Sequence, residues 1–183
     1  MPRKRGVSKA EWLGAGLQAL SAGSVSEITI DHLARSLGIA KAGFYWHFRA
    51  REDLLHQMLN HWVHEVTEVV TENALLLELE PRSRLIAAAE MILEHDLGSL
   101  DMAIRLWAQR DPTAARAARK VNKLRLAFAR DALEELGFER DEAEMRAMLF
   151  VAYHALESSV FREISRKRRR ELIASRIKML TSR

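Results

Sequence analysis

Hydrophobic residues recur every three or four positions along almost the whole chain, which is the spacing of amphipathic helices. Capping signals divide this pattern into segments. Ser8 and Glu11 have the spacing of a capping box, Thr29 can act as an N-cap, and Asp111 followed by Pro112 is a typical helix start. These signals predict helices over about residues 9–22, 30–37, 41–47, 51–77, 81–95, 99–109, 112–136, 141–160 and 166–180.

Glycines mark the predicted helix ends, and no segment shows the alternation typical of a strand. Gly23, Gly38, Gly98 and Gly137 stand at predicted ends, and Asp141 is the predicted N-cap of the eighth helix. The chain has only eight glycines and three prolines among 183 residues, so helix breakers are scarce elsewhere. The sequence therefore predicts an all-α fold of about nine helices.

Length and composition exclude several classes of protein. A chain of 183 residues has room for one large or two small domains. The lack of cysteine excludes a disulfide framework, a thiolate nucleophile and a cysteine-based zinc site. No apolar run approaches the length of a membrane span, and the basic start lacks the apolar core of a signal peptide. We expect a cytoplasmic protein with no membrane partner.

The basic excess of the chain is concentrated near its start. The formal net charge is +4, and the first 60 residues hold eight Lys/Arg against five Asp/Glu, whereas the remainder is nearly balanced. A polyanionic partner would therefore meet the first third of the chain. The alternative is a solvated basic tail with no partner.

Residues 29–48 have the proportions of a helix-turn-helix. Two short helices are joined through Gly38-Ile39-Ala40, and the small Ala34 allows them to approach closely. Such a short pair cannot bury a core alone, so the first helix is expected to supply a third wall. The shared core would be built from Leu33, Leu37, Ile39 and Phe44, with Trp12 and Leu20 of the first helix.

The motifs of this region resemble the tetracycline-repressor (TetR) family of bacterial transcription regulators. The resemblance covers about residues 6–60. It is carried by the capped first helix, the Gly23 to Thr29 spacing, Leu33-Ala34, Leu37-Gly38-Ile39, Phe44-Tyr45, His47-Phe48, Arg51-Glu52 and Leu54-Leu55. It implies a DNA-binding domain over residues 6–50 and a ligand-binding and dimerisation domain over residues 51–183, joined through the long helix 51–77.

The resemblance also implies DNA contacts. The third helix would lie in the major groove, with Lys41 donating either to a base or to a phosphate. Tyr45 and Trp46 would lie at the DNA or, alternatively, pack as ordinary helix aromatics. Asp31 and Ala40 depart from the family pattern, as does Gly43, which stands where a hydroxyl is frequent. The implied DNA-binding residues are Arg3, Lys4 and Arg5 in a basic arm, Thr29, Lys41, Gly43, Tyr45, Trp46, His47 and Arg51.

For the remaining residues, the resemblance implies a homodimer that a small-molecule effector releases from DNA. It identifies neither the effector nor any cofactor. Each candidate pocket residue could instead be an ordinary core side chain. The candidates for the pocket are Trp62, Met91, His95, Trp107, Phe128, Phe150, Tyr153 and His154. The candidates for the dimer interface are Met148, Ala152, Leu156, Leu172, Ile173, Ile177 and Leu180.

Two other functions fit parts of the sequence. His61, Glu65 and Glu68 fall on one face of an ideal helix, near His56 and His64, and such a face could bind a metal in an all-helical enzyme-like protein. The basic cluster 166–170 could serve a helical protein-interaction module. No paired nucleophile and base, phosphate-binding loop or zinc-protease motif is present, so we predict neither catalysis nor a metal.

Overall fold

The computed structural model of the chain describes residues 6–182, and over these residues it has nine helices and no strand. The predicted all-α fold is confirmed. The implied basic arm, Arg3 to Arg5, lies outside the described residues. The helices are α1 (Lys9–Ala22), α2 (Ile30–Ser36), α3 (Lys41–Trp46, a 3-10 helix), α4 (residues 51–71), α5 (Pro81–Glu94), α6 (Leu97–Ala108), α7 (Pro112–Glu135), α8 (Arg140–Val160) and α9 (residues 166–181). Two single helical turns, Val25–Glu27 and Ala74–Leu77, lie in the connections and are not counted among them.

Local capping determines where most of these helices begin. The amide of Glu11 donates to the Ser8 hydroxyl at 3.3 Å, and the amide of Ser8 donates to the Glu11 carboxylate at 2.7 Å. Thr29 caps α2 through the amide of His32. Asp111 accepts two amides at the start of α7. Each of these caps satisfies amides that have no partner inside the helix, which explains why sequence signals located them correctly.

The α4 helix is shorter and less regular than the single helix predicted over residues 51–77. It consists of an α-helical segment, Arg51–His61, a π-helical segment, Trp62–Glu68, and a final turn, Val69–Thr71. Asn73 ends the run because its side chain accepts the amides of Leu75 and Leu76 and starts a separate turn. A π-helical segment makes room for one extra residue within a helix and commonly lies near functional sites.

Two further helix boundaries differ from the prediction. Asp96, with φ 48°, is the left-handed residue between α5 and α6, and Gly98 lies inside α6 instead of ending α5. The α8 helix begins after Glu139, so Asp141 lies in the first turn and is not the N-cap. A carboxylate in that turn still interacts favourably with the helix dipole. The α9 helix has two segments, Arg166–Glu171 and Ile173–Thr181.

The helices enclose two hydrophobic cores. The first contains Trp12, Phe44 and Trp62 together with Ile104 of α6 and Val121 of α7. It therefore joins the first three helices to the body of the chain. The second core lies between α5, α7, α8 and α9 and contains Leu85, Phe128, Phe150 and Ile177 among its buried side chains.

Candidate functional site

The α2–α3 unit is held on α1 by one aromatic side chain. Phe44 is completely buried, and its ring meets the ring of Trp12 edge-on with centroids 5.3 Å apart. Gly38 adopts φ 66° in the turn, and the amide of Ile39 donates to the carbonyl of Ala34 at 3.0 Å. Burial of Phe44 fixes α3 so that its opposite face points to solvent.

The exposed face of α3 carries two large aromatic side chains. Trp46 is 87% exposed and Tyr45 is 57% exposed. Neither is packed in the core, although Tyr45 meets the Phe44 ring edge-on. A hydrophobic side chain as exposed as Trp46 suggests an interaction surface when it stands beside polar and charged groups.

Lys41 lies on the same face and is paired with an acid of α2. Its Nζ donates to Oδ2 of Asp31 at 2.9 Å, and both side chains are at least half exposed. The hydrogen bond and the negative charge of Asp31 raise the pKa of Lys41 above its ordinary value. Thr29 is exposed at the start of α2, whereas Gly43 is half-buried beside Ile39.

His47 and Arg51 make contacts within the protein that differ from the expected phosphate contacts. Nε2 of His47 donates to the backbone carbonyl of Val7 at 2.8 Å. The guanidinium of Arg51 donates to the carbonyls of Ile28 and Val25 at 2.5 Å each. Both side chains are half-buried. In the protein alone, these donors therefore hold the segments that flank α1 and α2, and their contact with DNA stays a prediction.

The body of the chain contains an apolar cavity beside the π-helical segment of α4. It has an empty volume of about 530 Å³, including solvent at its mouth, but the centre of a water molecule could lie in only about 40 Å³ of it. The cavity is therefore narrow and would have to widen around any ligand larger than a few waters. Its lining residues are Val66, Thr67, Val70, Thr71, Ala88, Ile92, Leu97, Gly98, Asp101, Arg125, Phe128, Phe150, Val151 and His154.

One wall of the cavity is charged. The carboxylate of Asp101, which is buried, accepts from Arg125 at 2.6 Å and from Arg105 at 2.7 Å. A second nitrogen of Arg125 lies 3.4 Å from the hydroxyl of Thr67. The carboxylate thus lies between two guanidinium groups, of which that of Arg125 lines the cavity.

His154 contributes an uncharged ring to the cavity. Its Nδ1 donates to the carbonyl of Phe150 at 2.7 Å, and its Nε2 accepts from Arg176 at 3.1 Å. Burial, followed by the neighbouring charge of Arg176, lowers the pKa of His154 to about 3. The imidazole is therefore neutral at ordinary pH.

Comparison with known proteins agrees with this architecture. Residues 13–58 match the family described as bacterial regulatory proteins, tetR family. These residues, which run from α1 into α4, are similar to the domain of that family. No curated protein sequence matches the chain.

Solved structures extend the likeness to the whole fold. A transcriptional regulator from Rhodococcus sp. Rha1 has a TM-score of 0.73 and 18% identity, with 95% of this chain and 96% of the regulator covered. FadR from Bacillus subtilis, solved in complex with stearoyl-CoA, has a TM-score of 0.71 and 14% identity over 96% and 98% of the two chains. Escherichia coli NemR in its reduced form has a TM-score of 0.71 and 19% identity over 95% and 97%. The chain thus combines a TetR domain with the fold of these regulators.

Three of the eight pocket candidates line the cavity beside the π-helical segment of α4: Phe128, Phe150 and His154. The other five lie elsewhere, because a pattern of apolar positions does not distinguish a cavity wall from a packed core. Trp62 and Trp107 are buried in the first core, Met91 packs against the second, His95 is exposed at the end of α5, and Tyr153 faces the α8–α9 groove.

The sequence analysis did not identify the charged wall of the cavity. Asp101 carried a usable signal, since a carboxylate stands on the apolar side of α6, three residues before the buried Ile104. Arg125 and Thr67 carried no comparable signal, because both lie within mixed polar and apolar stretches.

The dimer candidates divide into two groups. Met148, Ala152 and Leu156 are exposed on α8. Ile173, Ile177 and Leu180 are buried in the second core of their own chain, while Leu172 is half-buried at the join of the two α9 segments. These four side chains are therefore less accessible to a partner than the three candidates on α8. Exposed apolar side chains instead form a stripe along α8, with Met179 of α9 beside it: Met145, Met148, Leu149, Leu156 and Val160.

The alternative metal-binding face is not formed. No group of three or more His, Cys, Asp or Glu side chains in residues 6–182 is arranged to hold a metal ion. Glu68 is held by His64 and, at 2.9 Å, by Lys120, and these hydrogen bonds lower the pKa of its carboxyl group. The π-helical segment also changes the angular spacing between His61 and Glu68 from that of an ideal α-helix.

The basic cluster 166–170 is partly engaged within the body. Arg166 donates to the carbonyls of Leu93 and Glu94 at the C-terminal end of α5, where a cation is favourable. Arg168 pairs with Glu171 at 3.1 Å. None of the described helices is long and apolar enough to cross a membrane.

Proposed function

We propose that this chain is a homodimeric repressor that binds operator DNA through α3 and is released by a small-molecule effector. The observation that carries the proposal is the exposed face of α3, where Lys41, Tyr45 and Trp46 stand on a helix fixed by the buried Phe44. A short helix presented in this way can enter the major groove. Tyr45 would donate to a phosphate and Trp46 would pack against the sugar-phosphate backbone.

We assign residues 6–50 to DNA binding and residues 51–183 to effector binding and dimerisation, with the basic arm Arg3 to Arg5 adding affinity that depends on salt. Thr29 would place the first amides of α2 near a phosphate, and Gly43 would let the backbone of α3 approach the groove. Such a regulator would act in the cytoplasm, where bacterial DNA is.

The cavity is the proposed effector site. Its α4 wall belongs to the helix that begins at Arg51, next to the α2–α3 unit, so a ligand that widens the cavity would move the DNA-binding domain. The lining is mainly apolar, and the guanidinium of Arg125 and the hydroxyl of Thr67 would donate to a ligand with one acceptor or acidic group. The presence of stearoyl-CoA in FadR, which has the same fold, supports a small-molecule role for the body.

The α8 stripe is the proposed dimer interface. A row of exposed apolar residues along a long helix is costly to leave in water and is suited to an identical row on a second copy. Two copies would place two α3 helices on half-sites about one DNA turn, roughly 34 Å, apart.

DNA binding is tested by fluorescence anisotropy with labelled DNA from upstream of the protein's own reading frame. We expect binding at nanomolar to micromolar concentration that weakens steeply as salt rises. Tyr45→Ala should weaken binding to every sequence, whereas Leu77→Ala, which changes an exposed leucine of the body, should not. Absence of binding to upstream and neighbouring promoters would contradict the proposal.

Effector binding is tested with two neighbouring valines. Val70 lines the cavity, whereas Val69 is exposed. We expect at least one member of a panel of fatty acids, aromatic acids and their neutral esters to release DNA from the wild type and from Val69→Trp. Val70→Trp should fill the cavity, keep DNA binding and lose the response. An equal response in both variants would exclude the cavity as the effector site.

A further inference from the structure

The Asp31–Lys41 pair is an unusual feature of a surface that would approach DNA. Asp31 is the second residue of α2 and Lys41 is the first residue of α3, and the carboxylate would be repelled by phosphates. The pair is exposed, and exposed ion pairs contribute little to stability. A carboxylate in the first turn of α2 also interacts favourably with the helix dipole. Because both contributions are small at an exposed position, Asp31 and Lys41 can each take another partner on DNA at small cost.

The pair presents a donor and an acceptor at a spacing that matches a base-pair edge. Nζ of Lys41 and Oδ2 of Asp31 are 2.9 Å apart. In the major groove, a G·C pair presents the O6 acceptor of guanine next to the N4 donor of cytosine. These two atoms are hydrogen-bonded to each other, so they too are about 2.9 Å apart.

We propose that Asp31 and Lys41 together read one G·C base pair, with Lys41 donating to O6 and N7 of guanine and Asp31 accepting from N4 of cytosine. This inference rests on the proposed function and adds the base pair that the surface recognises. Asp31 is then a specificity-determining residue, because its carboxylate favours only a base pair whose major-groove edge presents a hydrogen-bond donor to it.

The four base pairs differ in how they meet this donor and acceptor. A·T and C·G, in the same orientation, place an amino group against the ammonium of Lys41 and a carbonyl oxygen against the carboxylate of Asp31, so both contacts are repulsive. T·A has the correct order of acceptor and donor, but it lacks a second acceptor for Lys41 and adds a methyl group. The expected order of preference is G·C, then T·A, then the other two.

The first test compares base preference in matched variants. Half-sites selected by the wild type from randomised DNA should contain one invariant G·C pair, and replacing that pair should weaken binding roughly 10- to 100-fold. Asp31→Ala should bind DNA at least as tightly, because it removes a negative charge, but should discriminate among the four pairs much less. Glu27→Ala removes a nearby exposed acid outside the pair and should keep the wild-type preference.

The second test probes the cytosine contact directly. An operator with N4-methylcytosine at the selected pair loses the hydrogen that would point to Asp31. Wild-type affinity should fall about tenfold, as expected for one lost specific contact, while the affinity of Asp31→Ala should not change. Equal loss in both proteins, or an Asp31→Ala variant with unchanged base preference, would overturn this inference alone. A wild type that binds no DNA would overturn the proposed function as well.

Discussion

At the scale of single residues, two side chains expected at DNA act on the backbone of the protein itself. His47 binds the carbonyl of Val7, ahead of α1, and Arg51 binds two carbonyls ahead of α2. These carbonyls precede the helices, and the two side chains donate to them, although the carbonyl of Val25 also accepts the amide of Ile28. The orientation of the α2–α3 unit thus depends on two side chains that bind the protein's own backbone.

Arg51→Lys tests whether Arg51 acts as a clamp. Lysine keeps the charge but cannot donate to the carbonyls of Val25 and Ile28 in the same forked geometry. We expect the free energy of unfolding to fall by about 1–3 kcal/mol, measured by urea denaturation without DNA. Arg49→Lys is the control, since that side chain is exposed. If Arg51→Lys keeps its stability but binds DNA more weakly, Arg51 contacts a phosphate as the sequence predicts.

His154 makes stability depend on pH. Its pKa is about 3 in the folded protein, because burial disfavours the charged ring, and about 6.5 in the unfolded chain. Between these values the unfolded state binds the proton and the folded state does not, so stability falls as pH falls below about 6.5. From pH 7 to pH 5, the wild type should lose about 2 kcal/mol more than His154→Gln, which has no titrating ring.

The measurement for His154 is urea denaturation of both proteins at the two pH values. The difference between them isolates the imidazole, because the depressed carboxyl pKa values of Asp53, Glu68, Glu80 and Glu135 are common to both proteins. If both proteins lose the same stability between pH 7 and pH 5, the pKa of His154 is not lowered in the folded state.

At the scale of elements, close approach of α6 to α8 depends on Gly98. A Cβ at this position would lie 2.9 Å from the hydroxyl oxygen of Ser158 and 3.1 Å from the carbonyl oxygen of His154. Since the second contact is with backbone, the helices would have to move apart. Gly98 also lines the cavity, so the same contact shapes the proposed effector site.

Gly98→Ala and Gly14→Ala should change stability in opposite directions. Both glycines lie in helices, where alanine is favoured by about 0.5–1 kcal/mol, but nothing lies within 4 Å of a Cβ at Gly14. We expect Gly14→Ala to raise the free energy of unfolding by that amount and Gly98→Ala to lower it by about 1–3 kcal/mol through overpacking. Stabilisation of both variants would show that α6 and α8 separate easily.

Helix starts could be predicted from sequence because caps are local, whereas contacts between distant elements could not. The capping box at Ser8 involves residues three positions apart. The partners of Arg51 lie 23 and 26 positions away, and nothing in the sequence says whether a cation will meet a phosphate or a carbonyl. Ile177 and Leu149 illustrate the same limit, since both lie on apolar stripes but only the first is buried within its own chain.

At the scale of the whole molecule, the core is continuous from the DNA-binding unit into the body. Trp12 of α1 and Ile104 of α6 belong to one cluster, and α6 also forms a wall of the cavity through Asp101. Under the proposed effector mechanism, this continuous packing would transmit a displacement of the cavity wall to α1 without a flexible linker. The π-helical segment of α4 lies where the first core and the cavity meet.

The proposed assembly of two copies would join these parts into a regulator, and one pair of leucines tests it. Leu149 is 54% exposed on the α8 stripe, and Leu75 is 76% exposed on the turn before α5. A glutamate at the centre of an apolar interface loses water without gaining a partner, whereas a glutamate on an open surface does not.

The wild type should therefore have about twice the chain mass of 20.9 kDa by light scattering. Leu149→Glu should be monomeric with an unchanged helical circular dichroism spectrum, and Leu75→Glu should remain dimeric. Because a monomer engages only one half-site, Leu149→Glu should also bind the full operator far more weakly while its affinity for an isolated half-site is unchanged. A dimeric Leu149→Glu would place the interface away from α8 and would remove the basis for coupling the cavity to the spacing of the two α3 helices.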